Sequence, residues 1–252
     1  MKMVSLRVIP VFVAVLVFAA SPARTEPASE PAQPVVVELF TSQGCSSCPP
    51  ADAYLMQLAK DPGILALSLH VDYWNGLGWK DPFSSPEVTV RQRSYARNLG
   101  AHYVYTPQMV VMGAAHAVGS NRSDVARLIA DTRAGMAPAP TVAIDHMARN
   151  TLTIRVGAGQ VKGRATVWLV SYDTRHETRV AAGENGGRTL AYSNVVRGIR
   201  SVGAWDGSAT SLTVDVTEEM NDGYQNCAVL VQAGETGPIV ASASMPMRIA
   251  AR

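Results

Sequence analysis

The sequence is poor in the residues that define several classes of protein. It has three cysteines among 252 residues, too few for the disulfide framework of a small secreted domain. Its 22 basic residues nearly balance its 20 acidic residues, so the chain lacks the basic surface expected of a nucleic-acid-binding protein, and we expect no nucleic-acid partner. The 20 glycines and 15 prolines follow no period, which excludes a collagen-like repeat. A hydrophobic fraction of 47% is sufficient for a folded core.

The amino-terminal segment has the pattern of a secretory signal peptide. Lys2 and Arg7 precede an apolar run at residues 8–20, and small residues lie at its end and just after it. The run is short for a membrane span, although an uncleaved anchor is the alternative. We therefore expect residues 1–24 to be a signal peptide and residues 25–34 (TEPASEPAQP) to be a flexible leader. The mature chain is expected to be periplasmic or secreted and to have no membrane span.

Residues 35–136 alternate between apolar runs and helix-forming segments. Short runs rich in β-branched residues indicate buried strands, while serine or asparagine ahead of a segment marks a helix start. The predicted order is strand, helix, strand, helix, two strands and a helix, at residues 35–40, 51–60, 64–71, 84–99, 108–112, 115–118 and 124–134. Arg91, Arg93 and Arg97 are interspersed with polar residues, which predicts a solvent-exposed face on the second helix.

The pattern changes after Gly135–Pro140, a composition break typical of a domain boundary. Residues 141–252 contain several β-type runs that are separated by glycine, asparagine and aspartate, with no convincing helix between them. Such a series predicts an antiparallel sandwich or barrel. Cys227 lies at the edge of one run, where we expect a buried, inert thiol; an intermolecular disulfide is the alternative.

A Cys-x-x-Cys motif follows the first predicted strand and precedes the first predicted helix. Unpaired N–H groups and a partial positive charge at a helix start lower the pKa of a cysteine placed there. Because Pro49 and Pro50 fit only the first helical turn, Cys45 lies at or just before that turn. We predict Cys45 as a nucleophile and Cys48 as the resolving thiol. One alternative interpretation of the motif is half of a zinc site, but the sequence offers no two further ligands at a matching spacing. The other is a redox-silent structural disulfide, and the sequence does not exclude it.

Five further residues are candidates for the same site. His70 and Asp72 lie at the end of the second predicted strand, where either could exchange a proton with the resolving thiol; a turn-forming aspartate is the alternative for Asp72. Trp74 follows them, either in an exposed aromatic lip or in a small core under the loop. Thr106 and Pro107 enter the third strand and are predicted to hold an extended partner segment.

Four segments resemble a bacterial domain-of-unknown-function family of secreted, thioredoxin-like proteins: FTSQGCSSCPPAD at 40–52, HVDYWNGLGWKDPF at 70–83, YTPQMVVMG at 105–113 and GENGGRTLAYSNVVR at 183–197. The resemblance implies a thioredoxin-like fold for the first part of the chain and a cis peptide bond before Pro107. It implies no substrate. Gly44 stands where thioredoxins place a tryptophan, so the direction of electron flow is not assigned.

Together these features predict an α/β thioredoxin-like domain at residues 35–136, followed by a mostly antiparallel β-sandwich-like domain at residues 141–252. The expected function is that of a periplasmic thiol–disulfide oxidoreductase without a cofactor or metal. Its expected partner is a protein or small molecule that carries a thiol or disulfide. The alternatives are a soft-metal module that holds Cu(I) between Cys45, Cys48 and His70, and a redox-silent binding or scaffold module of the cell envelope.

Overall fold

The computed structural model describes residues 33–147 and 150–247, together with Met3. The described residues from 33 onward belong to one compact unit. The predicted signal peptide and leader lie outside the described residues, apart from Met3, Gln33 and Pro34. In the described part of the chain, no helix is both long enough and apolar enough to cross a membrane.

The described residues form four short helices and a larger number of strands. The helices are α1 (Pro49–Leu58), α2 (Pro86–Asn98), α3 (Arg122–Gly135) and α4 (Thr217–Asn221). The strands are β1 (Val35–Thr41), β2 (Ile64–His70), β3 (Gln108–Val111), β4 (Ala115–Val118), β5 (Val142–Met147), β6 (Thr151–Val156), β7 (Ala165–Arg179), β8 (Thr189–Trp205), β9 (Thr210–Asp215), β10 (Asn226–Ala233) and β11 (Ile239–Pro246).

A single mixed sheet runs through both halves of the chain, in the order β11-β10-β7-β8-β2-β1-β3-β4, and a small antiparallel sheet contains β5, β6 and β9. β8 lies parallel to β2, with Ser68 opposite Val195, and antiparallel to β7. The expected α/β thioredoxin-like domain followed by a β-sandwich-like domain is therefore wrong. The protein is mostly β, and its large sheet includes strands from both predicted domains.

The strand that joins the two halves, β8, is not predicted by the sequence pattern. It is 17 residues long, and two irregularities shift its register against β7. Asn194 within it has a φ of 51°, a left-handed conformation that interrupts an extended strand. Because of these interruptions its apolar residues do not alternate regularly, so the usual period-of-two signal is missing.

Strand β10 is buried on both of its faces. Ala228 and Leu230 belong to an apolar core that also includes β1 and β2, whereas Cys227, Val229 and Val231 belong to a second core. Since successive side chains of a strand point to opposite faces, one core lies on each side of β10. Cys227 is a free, fully buried thiol, and burial raises its pKa to about 12. The expected buried thiol is confirmed.

A buried ion pair connects β1, α2 and β10. The guanidinium of Arg91 donates to the carboxylate of Glu38 at 2.7 and 3.2 Å and to Gln232 Oε1 at 3.0 Å, and Tyr95 Oη donates to Glu38 at 2.5 Å. Burial opposes the charge of Arg91, but the Glu38 carboxylate outweighs this effect and raises the guanidinium pKa. The predicted solvent-exposed face is thus wrong for Arg91, although the other two arginines of that series are exposed.

Candidate functional site

Cys45 and Cys48 form a disulfide, with their Cα atoms 5.4 Å apart. Cys48 is the N-cap residue of α1, and Pro49 and Pro50 occupy the first two helical positions, where no N–H partner is lost. Cys45 therefore lies three residues ahead of the N-cap. Neither cysteine has exposed surface.

Two hydroxyl groups contact the sulfur of Cys45. Thr106 Oγ1 donates to Cys45 Sγ at 3.4 Å, and Ser47 Oγ lies 3.4 Å from the same atom. Trp74 Nε1 in turn donates to Thr106 Oγ1 at 2.9 Å. The peptide bond before Pro107 is cis, as the resemblance implies. The structure thus brings Thr106 and Trp74 to the first cysteine.

The position of Trp74 also explains why the residue before Cys45 is a glycine, Gly44. A Cβ atom added to Gly44 would lie only 3.1 Å from Trp74 Cβ and 3.4 Å from its carbonyl oxygen. A larger side chain at position 44 would push this half-buried tryptophan away from Thr106. The tryptophan side chain at this site therefore comes from the loop after β2 rather than from the residue before Cys45.

The hydrogen bonds of His70 and Asp72 are made to residues other than the cysteines. His70 Nδ1 lies 2.7 Å from Asp81 Oδ2, and its Nε2 lies 3.3 Å from Ser68 Oγ, in a fully buried arrangement. Asp72 accepts a hydrogen bond of 2.5 Å from Thr89 Oγ1. Asp72 is thereby tied to α2, and both ring nitrogens of His70 are already engaged.

The buried carboxyl group of Asp52 lies one helical turn after Cys48, and no sequence pattern indicates it. Asp52 Oδ1 accepts a hydrogen bond of 2.7 Å from Thr41 Oγ1, while its Oδ2 has no hydrogen-bond partner within residues 33–147 and 150–247. Burial raises the pKa of Asp52 to about 7, against the lowering effects of His70 and Thr41. An acidic residue is common in a first helical turn, so its sequence position alone carries no such signal.

Asp81 is a second acid close to Asp52, and its pKa is shifted in the opposite direction. Asp81 faces His70 and accepts a hydrogen bond of 2.8 Å from the backbone N–H of Gln43. Burial alone would raise the pKa of Asp81, but His70 and the hydrogen bonds lower it. Burial, together with the charges of both acids, raises the pKa of Tyr192. Near neutral pH, Asp81 is therefore ionised while Asp52 titrates.

A loop from the second half of the chain is hydrogen-bonded to the turn that contains Cys45. We call Val180–Arg188, which connects β7 to β8, the covering loop. Asn185 Nδ2 donates to the carbonyl oxygens of Gln43 at 3.0 Å and Cys45 at 2.9 Å. Asn185 is separated from these residues by 140 or more positions, so no local sequence pattern could predict the contact. The site therefore includes residues from both halves of the chain.

Residues 36–232 match the family described as "Protein of unknown function (DUF1223)". The chain belongs to this family. The matched segment of this DUF1223 chain includes both cysteines of the disulfide and the covering loop, and the expected domain-of-unknown-function family is confirmed. The crystal structure of protein AGR_C_4864 from Agrobacterium tumefaciens is similar to it, with 36% identity and a TM-score of 0.72, over 84% of this chain and 93% of that one. No curated protein matches the chain.

Proposed function

We propose that the protein exchanges thiols and disulfides through Cys45 and Cys48, with Cys45 as the sulfur that partners attack. The observation that supports this proposal is the pair of hydroxyl groups 3.4 Å from Cys45 Sγ. Once the disulfide is open, both hydroxyls can donate to a thiolate at this position. Hydrogen bonds to a charged acceptor are stronger than those to a neutral one, so they favour the thiolate and lower the thiol pKa.

The proposed reaction transfers two electrons from a partner dithiol. A partner thiolate attacks Cys45 Sγ, a mixed disulfide forms, and the bond to Cys48 breaks, so that Cys48 leaves as a thiolate. The second thiol of the partner loses its proton and attacks the partner's sulfur in the mixed disulfide. The partner is released as a disulfide, and Cys45 becomes a thiolate. The reverse sequence reduces a partner disulfide.

Asp52 is the group that we assign to the proton of Cys48. It lies four residues after Cys48 on α1, a spacing that places two side chains on the same helical face. Its pKa of about 7 lets it donate a proton to the leaving thiolate or accept one from the attacking thiol near neutral pH. Its free Oδ2, which lacks a partner in the described part of the chain, is available for this transfer.

An oxidising compartment is the proposed place for this reaction, because a disulfide persists there and is rare in a reducing cytosol. The basic and apolar pattern of residues 1–24 supports the periplasm or the exterior. The soft-metal alternative has less support. His70 is engaged on both ring nitrogens, and the described ranges contain no group of three or more His, Cys, Asp or Glu side chains that could hold a metal ion.

Single cysteine variants test the order of attack. Cys48→Ser should accumulate a mixed disulfide through Cys45 when it is incubated with a peptide disulfide, because the resolving thiol is missing. Cys45→Ser should accumulate none above the level of the double serine variant, because Cys48 lacks the two hydroxyl donors. Intact-mass spectrometry under non-reducing conditions measures both adducts.

Two outcomes would contradict the proposal. One is an equal amount of adduct on the two single variants, which would remove the distinction between the sulfurs. The other is a wild-type disulfide that stays intact across glutathione buffers from fully oxidised to fully reduced, since a bridge of that stability is structural. Reduction within that range would also give the potential of the couple and hence the favoured direction of electron flow.

A further inference from the structure

The covering loop packs against the turn that carries a fully buried disulfide. Ser46 and Ser47, between the two cysteines, are exposed, whereas Cys45 and Cys48 have no exposed surface. A thiol that attacks a disulfide must approach the sulfur directly, so the arrangement seen here does not admit one. Exchange through Cys45 therefore requires a movement of the residues that cover it.

Two side chains of the covering loop are buried, Val180 and Asn185, and Asn185 is the one that bonds to the cysteine turn. Between residues 181 and 188, Asn185 is buried and all the others are exposed. Its carboxamide nitrogen donates to the carbonyl oxygens of Gln43 and Cys45, and its Oδ1 accepts a hydrogen bond of 2.7 Å from Arg188. An exposed segment with so little buried surface can open at low cost compared with the cores.

Glu184 adds a second contact at the same place. Its carboxylate accepts a hydrogen bond of 3.1 Å from the backbone N–H of Ser46. This carboxylate occupies a backbone donor of the turn between the two cysteines. A closed covering loop is therefore bonded to the cysteine turn at three backbone positions, those of Gln43, Cys45 and Ser46.

We propose that the covering loop opens for exchange and that Asn185 controls how fast a thiol reaches the Cys45–Cys48 disulfide. The inference rests on the proposed function, because it assigns the access step of that reaction. Opening breaks three hydrogen bonds, two from Asn185 and one to Glu184, and leaves the disulfide itself intact. Asn185 thus limits the rate of attack, since a partner must displace the loop before it can reach the disulfide.

The test measures chemical reduction of the oxidised full-length chain by dithiothreitol, with an N-ethylmaleimide quench and intact-mass detection. Asn185→Asp keeps the shape of the side chain but directs a carboxylate at two carbonyl oxygens. We expect it to speed reduction by about tenfold or more, because two hydrogen bonds become repulsive contacts. Asn185→Ala should give a smaller increase. Asn226→Ala removes an exposed hydrogen bond to Thr174 and leaves the contacts of the covering loop in place, so it is the matched control and should be unchanged.

Cys227 provides an internal control for general unfolding, because its thiol is buried in the second core. The proposal is supported if reduction accelerates in the Asn185 variants while Cys227 is labelled as slowly as in the wild type. It is overturned if both variants are reduced at the wild-type rate, or if labelling of Cys227 rises in parallel with reduction. The readout requires no biological partner. Faster reduction of the Asn185 variants would therefore support the role of the covering loop even if the protein exchanged no partner disulfide.

Discussion

Glu38→Ala lowers the free energy of unfolding by about 3–5 kcal/mol, because it leaves a buried guanidinium without its counter-charge. In the native protein Arg91 donates twice to Glu38, and the two side chains are 3% and 1% exposed. The uncompensated charge has no access to water, so it cannot be screened. Urea unfolding of the variant and the wild type under identical conditions measures the difference.

Two companion variants make this result specific. Arg127→Ala breaks an ion pair with Asp124 whose side chains are 62% and 45% exposed, and it should cost less than about 1 kcal/mol. The double variant Glu38→Leu/Arg91→Met should recover much of the lost stability, because removing both charges leaves no uncompensated ion. A loss below about 1 kcal/mol for Glu38→Ala would show that the pair is not needed for folding.

Asp52→Asn raises the free energy of unfolding at about pH 8 by about 3–4 kcal/mol. The pKa of Asp52 rises from 3.8 to about 7 on folding, so between these values the native state holds a proton that the unfolded chain has lost. The stability of the wild type therefore falls as the pH rises through this window, and it stays low above it. Asparagine is neutral at every pH and does not carry this penalty.

The pH dependence of urea unfolding distinguishes this cause from any general stabilisation by the amide. At about pH 4 or below, the aspartate is protonated in the native protein, so the two proteins should differ little. Their stabilities should diverge as the pH rises towards about 7. Two curves that run parallel from acid to alkaline pH would show that Asp52 does not titrate in this range.

The same substitution should slow thiol–disulfide exchange near neutral pH, because the carboxyl group assigned to the proton of Cys48 is gone.

The elements of the first half of the chain follow from local signals in the sequence. Ser85 accepts a hydrogen bond from the Val88 N–H at 3.3 Å, and Asn121 accepts one from the Asp124 N–H at 3.3 Å, so a serine and an asparagine cap α2 and α3 as the sequence pattern indicates. The strands at residues 35–41 and 64–70 are fully buried, which matches their apolar runs. These features depend on neighbours a few residues away, and sequence patterns describe such neighbours well.

The way in which the halves join does not follow from local signals. The register of β8 against β2 depends on a contact between Ser68 and Val195, and the irregular alternation of β8 hides it as a strand. Arg91 looks like a surface arginine because its partner Glu38 lies 53 positions away. A sequence pattern alone gives no information on which distant charge will meet it.

Some residues of the candidate site are indicated by local sequence patterns, and others are placed there only by distant contacts. The cysteine pair and Thr106 are visible in the sequence as motifs, whereas the raised pKa of Asp52 arises from burial that only the packed structure supplies. Asn185 belongs to a glycine-rich stretch that indicates a turn and gives no sign of a contact with the cysteine turn. Residues that act through distant contacts are therefore found only once the fold is known.

The placement of β8 beside β2 has a practical consequence for anyone who expresses part of this protein. A fragment that ends after α3 would keep β1 to β4 but lose β8, one of the two neighbours of β2. The edge of β2 that faces β8 at Ser68 would then be uncovered on a buried, apolar strand, and an uncovered strand edge is a template for aggregation between copies. Insoluble amino-terminal fragments would thus reflect an open sheet border and would say nothing about the chemistry of the cysteines.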